Sequence, residues 1–232
     1  MAVRVQQHER FLGVYWVWLE GERERLATLN LVPGTAVYGE RLVEFEGEEF
    51  RLWDPYRSKL AAAVLKGLKV LPVQPGHRVL YLGAASGTTA SHVSDLVGAG
   101  GSVFCVEFAP RVFRELVERA CSLRANMVPL LGDARFPESY RMFVGEVDDV
   151  YCDVAQPEQA RVLADNADMF LKAGGWVLLA IKARSIDVVE APSRVYEREL
   201  EVLRGRGFEV EEVFGLEPYD RDHVMVVARY VR

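Results

Sequence analysis

The chain has 232 residues, half of them hydrophobic, which suffices to bury one full domain core plus a small additional unit. No apolar run approaches the roughly 20 residues that a membrane-spanning helix needs, and residues 1–10 lack the apolar region of a secretory signal, so we expect a soluble, cytoplasmic protein without membrane contact. The formal net charge of −6 disfavours a protein that holds nucleic acid by bulk electrostatics, because neutralising phosphates requires a basic surface.

Residues 1–53 carry the pattern of a small antiparallel β unit. Aromatic and β-branched residues are frequent from Phe11 to Trp53, and turn signals at 20–22, 33–34 and 47 divide the segment into short runs. We therefore predict a small N-terminal β domain at 1–53 and a second, larger domain at 54–232.

An amphipathic helix is predicted next, from Ser58 to Leu68, because apolar residues recur there at helical spacing. The same region carries a local excess of positive charge, since residues 51–69 include five basic residues and only one acidic residue, Asp54, for a net charge of +4. The basic residues are Arg51, Arg57, Lys59, Lys66 and Lys69. We expect them to form a basic patch on an otherwise acidic protein.

Beyond this helix, short apolar runs alternate with helical patterns, which is typical of βαβ units and of a mostly parallel, buried sheet. We predict strands at 79–82, 103–108, 128–131, 150–154 and 176–181, and helices at about 90–97, 111–123, 157–171 and 193–206. The last two strand-like segments, 208–214 and 223–230, are joined by a link too short for a crossover helix. They should form an antiparallel hairpin at the sheet edge, and the fold class is α/β.

A loop of small residues, GAASGTT at 83–89, follows the first strand of this sheet. Small side chains let the backbone approach a ligand, and Thr88 or Thr89 could cap the next helix. The loop departs from the GxGxxG pattern, because Ala85 stands where a dinucleotide-binding loop needs a glycine to admit the pyrophosphate. We therefore expect either a nucleotide without a pyrophosphate or simply a tight strand-to-helix turn.

Polar residues follow the next three strands at their carboxyl ends: Glu107, Asp133, and Asp153 with Gln156. An acid at 107 could accept hydrogen bonds from both hydroxyls of a ribose, and an acid at 133 could meet an adenine amino group. Each residue alone could also be an ordinary surface acid or a helix cap. Because the carboxyl ends of parallel strands meet at one edge of a sheet, the set predicts a bound adenosine-containing cofactor.

Three further residues are candidates for chemistry. Lys182 ends the fifth predicted strand, and Lys59 lies at the start of the helix that precedes the sheet. A lysine beside Asp153 could orient a hydroxyl nucleophile, lower its pKa or accept its proton, although simple surface solvation is the alternative for each lysine. His223 would more often be a hairpin or core histidine than a catalytic one, and its position alone decides nothing.

The three cysteines, Cys105, Cys121 and Cys152, are far apart in sequence and form no CxxC pair. Each stands in an apolar context, so we interpret them as buried free thiols. They therefore suggest neither a metal site nor a redox site.

Eight segments together resemble one protein family. They are NLVPGTAVYGER, WDPYRSKLAAA, GAASGTTASHVSDLVG, VEFAPRVFREL, LGDAR, DVAQPEQA, IKARSID and EPYDRDHVMVV. The chain resembles the fibrillarins, which are S-adenosylmethionine-dependent RNA 2′-O-methyltransferases with a Rossmann-like sheet behind a small β domain. The resemblance implies that 54–232 is the methyltransferase domain. The glycine- and arginine-rich N-terminal tail of eukaryotic fibrillarins is absent, so we expect the archaeal form.

The resemblance also implies roles for individual residues. The loop at 83–89 would hold the cofactor, 107–108 its ribose and adenine, 133–134 its adenine, and 153–156 its methionine end. The implied S-adenosylmethionine ligands are Gly83, Ala84, Ala85, Thr88, Thr89, Glu107, Phe108, Asp133, Ala134, Asp153, Val154, Ala155 and Gln156. The related 2′-O-methyltransferases use a Lys-Asp-Lys-Glu tetrad, with histidine common at the fourth place. That tetrad corresponds here to Lys59, Asp153, Lys182 and His223.

The expected partners follow from the same resemblance. They are a Nop-family scaffold protein, a kink-turn-binding ribosomal-type protein, a box C/D guide RNA and its target rRNA or tRNA. Two alternatives are a methyltransferase for small molecules or proteins and a non-catalytic subunit of an RNA particle. The lysine pair and the +4 segment disfavour the first alternative, and the complete tetrad disfavours the second.

Overall fold

The computed structural model describes residues 3–231, and its N-terminal part is a five-stranded antiparallel sheet. Its strands are β1 (Val3–Gln7), β2 (Val14–Leu19), β3 (Arg25–Leu29), β4 (Leu42–Phe45) and β5 (Glu48–Leu52). Their order is β1-β2-β3-β5-β4. Glu46 and Gly47 join β4 to β5 with positive φ values of 52° and 84°, the backbone of a tight hairpin turn. The predicted antiparallel β unit is confirmed for the described residues, whereas the domain division at 53/54 stays a prediction.

The rest of the chain forms a seven-stranded sheet with helices on both faces. Its strands are β6 (Arg78–Leu82), β7 (Ser102–Glu107), β8 (Met127–Leu131), β9 (Val147–Cys152), β10 (Leu171–Lys182), β11 (Phe208–Gly215) and β12 (His223–Tyr230). Their order is β11-β12-β10-β9-β6-β7-β8. The five strands from β10 to β8 are parallel, and β12 is antiparallel to both of its neighbours. The predicted mostly parallel α/β sheet with a C-terminal antiparallel hairpin is confirmed.

The α-helices are α1 (Lys59–Leu65), α2 (Thr88–Val97), α3 (Pro110–Leu116), α4 (Arg141–Val144), α5 (Gln159–Phe170), α6 (Ala183–Ile186) and α7 (Pro192–Gly205). The short helices α4 and α6 were not predicted, whereas the other five lie close to the predicted positions. A π-helical turn at Val117–Cys121 continues α3, and a 3₁₀ turn at Pro137–Tyr140 precedes α4. Among residues 3–231, no helix combines the length and apolar character needed to cross a bilayer.

Capping of α2 differs from the prediction. The N-cap is Gly87, in a left-handed conformation with φ 93°, and neither Thr88 nor Thr89 caps the helix through its side chain. The helix begins at Thr88, directly after Gly87, so both threonines already lie in its first turn. Ser58, in contrast, caps α1 by accepting a hydrogen bond from the Ala61 amide.

All three cysteines are free thiols. Cys105 and Cys152 are buried as predicted, whereas Cys121 is half-buried. Cys121 ends the π-helical turn after α3, where it packs against the edge of the core.

The two sheets share one hydrophobic core. Leu26 and Trp53 from the N-terminal part are buried together with Leu60 of α1 and with Val93 and Leu96 of α2. A second core lies on the opposite face of the large sheet, beneath α5 and α7. The N-terminal sheet therefore packs directly on the helix that follows the glycine-containing loop.

A cluster of four buried charges also joins the two parts, and it removes Arg51 from the predicted basic patch. We call Glu40, Arg51, Asp95 and Arg124 the seam cluster. Arg51 has no exposed surface, and its guanidinium bonds Glu40 at 2.7 Å and Asp95 at 2.8 Å. Arg124 also contacts Asp95, at 2.5 Å. The net charge of +4 counted along residues 51–69 is therefore wrong as a description of the surface. The count includes the buried Arg51 and leaves out carboxylates that other segments of the chain bring to it.

Candidate active site

A cavity of about 230 Å³ opens at the carboxyl ends of the parallel strands. It is lined by Gly83, Ala85, Val106, Glu107, Phe108, Gly132, Asp133, Ala134, Asp153, Val154, Ala155 and Gln156. All the residues predicted to hold the cofactor are among these except Ala84, Thr88 and Thr89. Ala84 is buried beneath the loop, and Thr89 faces a neighbouring cavity. Sequence reasoning missed Val106 and Gly132, which directly precede predicted ligands.

The loop after β6 lies tightly against the end of β9. The amides of Gly83 and Ala84 both donate to the Val106 carbonyl, each at 3.0 Å. Gly83 has φ 79°, and a Cβ at this position would lie 2.5 Å from the Asp153 carbonyl oxygen. Glycine is therefore required at 83 by both the backbone conformation and the close approach.

Glu107 organises the middle of the cavity. Its side chain is buried, and its carboxylate accepts hydrogen bonds from the amides of Ala85 at 3.0 Å and Ala109 at 2.9 Å. The first of these bonds holds Ala85 in a left-handed conformation, with φ 48°, that a non-glycine residue seldom adopts. Each carboxylate oxygen can accept a further hydrogen bond, so Glu107 can still bind two hydroxyl groups of a ligand.

Asp133 lies further along the same edge, paired with Arg135 at 2.6 Å. Hydrogen bonds from Arg135 lower the pKa of Asp133 below its ordinary value, so this carboxylate is ionised at neutral pH. At the rim, the Phe108 ring is 60% exposed and offers a flat apolar surface. The cavity thus combines two carboxylates with an aromatic face, which suits a ribose and a purine base.

A second cavity, of about 110 Å³, lies beside the first. Its lining consists of Pro55, Tyr56, Arg57, Ser58, Lys59, Thr89, Asp153 and Asp220. Asp153 lines both cavities, and its Oδ2 lies 2.8 Å from Lys59 Nζ. The Thr89 hydroxyl donates to Ser58 Oγ at 3.0 Å, which ties the start of α1 to the start of α2. The two cavities therefore meet at one ion pair.

Lys182 and His223 lie on adjacent strands, where they are directly paired between β10 and β12. The His223 ring is almost fully buried, and its Nδ1 lies 2.6 Å from the Arg221 carbonyl oxygen and 2.9 Å from Asp220 Oδ1. The Lys182 residue is exposed and forms no ion pair within residues 3–231. The structure thus brings Lys59 and Asp153 into contact, whereas Lys182 is paired with His223 across the strands and is not among the residues that line either cavity.

Sequence reasoning did not single out Asp220. This residue lies in the link between β11 and β12, with 3.8 Å between its Oδ2 and Lys59 Nζ. The only signal was its place three residues before His223, which carries no meaning until the link has folded.

Comparison with known proteins identifies the family. The fibrillarin family model matches residues 5–232. A fibrillarin-like rRNA/tRNA 2′-O-methyltransferase from Staphylothermus marinus is 58% identical over 231 residues, covering 100% of this chain and 98% of that protein. Crystalline Aeropyrum pernix fibrillarin, with natively bound S-adenosyl-L-methionine, is 57% identical over 97% of each chain, with a TM-score of 0.91. The fibrillarin chain of a fibrillarin/Nop5p complex is 39% identical, covers 98% of this chain and 100% of that chain, and superposes with a TM-score of 0.83. This chain belongs to the fibrillarin family.

Proposed function

We propose that this protein transfers a methyl group from S-adenosylmethionine to ribose 2′-hydroxyl groups of rRNA and tRNA. The observation that carries the proposal is the Lys59–Asp153 ion pair at the junction of two cavities. One cavity suits an adenosine-containing donor, and the other is small and polar enough for a ribose. The named activity of the Staphylothermus marinus relative agrees with this reaction.

The residues of the larger cavity fit S-adenosylmethionine. Glu107 would bind the ribose hydroxyls, Asp133 the adenine amino group, and Phe108 the face of the purine. Gly83 lets the loop pack directly against the Asp153 backbone at the end of the cavity that we assign to the methionine part. When bound, the cofactor supplies an electrophilic methyl group on a cationic sulfur, and the carboxylate of Asp153 favours positive charge at this place. The crystal structure of Aeropyrum pernix fibrillarin with natively bound S-adenosyl-L-methionine supports the choice of this cofactor.

The residues of the smaller cavity act on the acceptor ribose. Lys59, held by Asp153, would orient the 2′-hydroxyl and stabilise the negative charge that develops on its oxygen, while the hydroxyl proton passes to solvent. Lys182, the last residue of β10, would also contact the acceptor ribose. Asp153 would keep the cation of Lys59 at the junction, so that donor and acceptor face each other in line.

A polyanionic substrate must reach this site on a protein of net charge −6. With Arg51 buried and Lys59 paired, the exposed cations of the segment 51–69 are Arg57, Lys66 and Lys69. At physiological salt the Debye length is about 8 Å, and three exposed cations therefore cannot attract RNA from a distance. We infer that partner molecules deliver the RNA substrate to the site.

The partners that we infer are a Nop-family scaffold, a kink-turn-binding protein and a box C/D guide RNA that selects the nucleotide by pairing. The solved fibrillarin/Nop5p complex supports the scaffold. We place the resulting particle in the cytoplasm.

The decisive experiment measures methyl transfer to one target RNA by the protein alone, with the scaffold, and with the complete guide particle. We expect site-selective transfer only with the complete particle. Efficient, selective transfer by the protein alone would contradict the inference from charge. No transfer to RNA under any condition, combined with transfer to a small molecule or protein, would contradict the substrate assignment.

A further inference from the structure

Asp220 contacts two members of the predicted catalytic tetrad at once. Its Oδ1 lies 2.9 Å from His223 Nδ1, and its Oδ2 lies 3.8 Å from Lys59 Nζ. The carboxylate therefore bridges a residue of α1 and a residue of β12. It also lines the smaller cavity, which we assign to the acceptor ribose.

The link that carries Asp220 is held in place by its own backbone and by packing. Leu216 is fully buried, its amide donates to the His223 carbonyl, and its carbonyl accepts from the amides of Tyr219 and Asp220. The Tyr219 ring packs edge-on against Tyr56, with 5.2 Å between centroids. The backbone that carries Asp220 is thus held by contacts that do not involve the Asp220 side chain.

The contacts of His223 set the state of its ring. Both acceptors near Nδ1, the Arg221 carbonyl and the Asp220 carboxylate, require a proton on that nitrogen. The neutral ring then carries its lone pair on Nε2, and the two acceptors at Nδ1 fix its orientation.

Lys59 lies between two carboxylates with different roles. Asp153 lies at hydrogen-bonding distance, whereas Asp220 lies about 1 Å further away and attracts the ammonium without closing on it. Asp220 therefore adds a second, longer-range attraction to Lys59 while the ammonium stays bonded to Asp153. The ammonium is kept in the small cavity, facing the place where the acceptor hydroxyl would lie.

We propose that Asp220 is a positioning residue for methyl transfer, which orients the ring of His223 and holds Lys59 toward the acceptor. This inference rests on the proposed function. It adds a fifth polar side chain to the tetrad Lys59, Asp153, Lys182 and His223. It also assigns a role to the contact between the buried His223 ring and the Asp220 carboxylate.

The test uses the complete guide particle at saturating S-adenosylmethionine and measures single-turnover methyl transfer. Asp220→Asn and Asp220→Ala should lower the rate by about 10- to 100-fold, the scale for groups that orient a functional side chain. Asp220→Glu should recover part of the rate, because it restores the carboxylate. Cofactor affinity and the unfolding midpoint should remain those of the wild type.

Two comparisons separate positioning from a structural effect. In a His223→Ala background, Asp220→Ala should cost much less than it does alone, because neighbouring groups that act together are not additive. The control is Asp222→Asn, which changes an exposed acid of the same link that pairs with Arg184 and should leave the rate unchanged. An unchanged rate in Asp220→Asn, or fully additive losses with His223→Ala, would overturn the inference. A wild-type particle that transfers no methyl group would instead contradict the proposed function.

Discussion

Lys59 Nζ and Asp153 Oδ2 lie 2.8 Å apart, although 94 positions separate the two residues in the chain. Both side chains are about one-fifth to one-quarter exposed, so water screens the pair and it contributes little to stability. Its importance lies in where it holds the two charges. The pair joins the first residue of α1 to the loop after β9, at the wall between the two cavities.

Loss of the charge of Asp153 or of Lys182 should slow methyl transfer. Asp153→Ala and Lys182→Ala should each lower the single-turnover rate by about 100-fold or more, the usual scale for losing a positioned proton-transfer group. Rates must be measured at saturating cofactor, because Asp153 also lines the donor cavity. The matched control is Lys172→Ala, at the opposite end of β10. Rates close to wild type in both site variants would refute the roles assigned to them.

The cofactor pocket should discriminate between nucleotides. Calorimetry should detect binding of S-adenosylmethionine and none of a nicotinamide dinucleotide, because Ala85 stands where a pyrophosphate must approach the backbone. Binding of the dinucleotide without binding of S-adenosylmethionine would exclude a methyltransferase.

A single methyl group at Gly83 should destroy the donor cavity. In Gly83→Ala, the new Cβ would lie 2.5 Å from the Asp153 carbonyl, and φ 79° adds roughly 1–2 kcal/mol of backbone strain. We expect a large loss of S-adenosylmethionine affinity, measured by calorimetry on protein that is still folded by circular dichroism. Gly100→Ala is the control, since nothing lies within 4 Å of its Cβ and its φ is not positive. Equal affinities in the two variants would show that the loop can move away from β9.

The seam cluster should matter more for stability than any surface ion pair. Arg51→Met leaves the buried carboxylates of Glu40 and Asp95 without one cation, which should lower the free energy of unfolding by about 3 kcal/mol or more. Arg41→Met removes an exposed partner of Glu22 and should cost about 1 kcal/mol or less. Denaturant titration of both variants checks the difference. A cost below 1 kcal/mol for Arg51→Met would mean that Arg124 alone compensates the cluster.

Stability should fall on the acid side because of His92. This ring is fully buried in hydrogen bonds to Thr28 and Tyr38, and burial, together with Arg51 and Arg124, lowers its pKa well below 6.5. Below about pH 6.5 the unfolded chain binds a proton that the folded chain does not. The stabilising contribution is complete above that pH and declines below it, by at most about 1.4 kcal/mol per pH unit.

The measurement compares unfolding free energies at pH 7.5 and 5.5 in wild type and His92→Gln. The variant should be less stable at pH 7.5 but should lose less on acidification. An identical loss in both proteins would assign the acid sensitivity to other groups.

Residues at strand ends could be predicted because regular structure fixes their neighbours. Glu107, Asp133 and Asp153 each follow a buried parallel strand, so their meeting at one edge required only the fold class. Lys182 was placed by the same reasoning, at the end of β10. Lys59 could also be singled out as a candidate from its place at the start of α1. The assignment of chemistry to His223, however, came from the family resemblance, since its contacts depend on the C-terminal hairpin.

What could not be predicted depends on side chains that meet across irregular segments. Asp220 lies in a link without periodicity, so its approach to Lys59 has no counterpart in the sequence pattern. Arg51 was placed at the surface because its partner Asp95 lies 44 residues away in α2. In both cases the decisive contact joins two segments whose relative position only the folded chain defines.

Heating changes the balance of the seam cluster. Hydration of ions becomes less favourable as temperature rises, so burying the charges of Arg51, Arg124, Glu40 and Asp95 costs less in hot water than at 25 °C. Burial of apolar surface gains little over the same range. The difference in stability between wild type and Arg51→Met should therefore widen with temperature, so the charges of the seam cluster contribute more to holding the N-terminal sheet against α2 when the protein is hot.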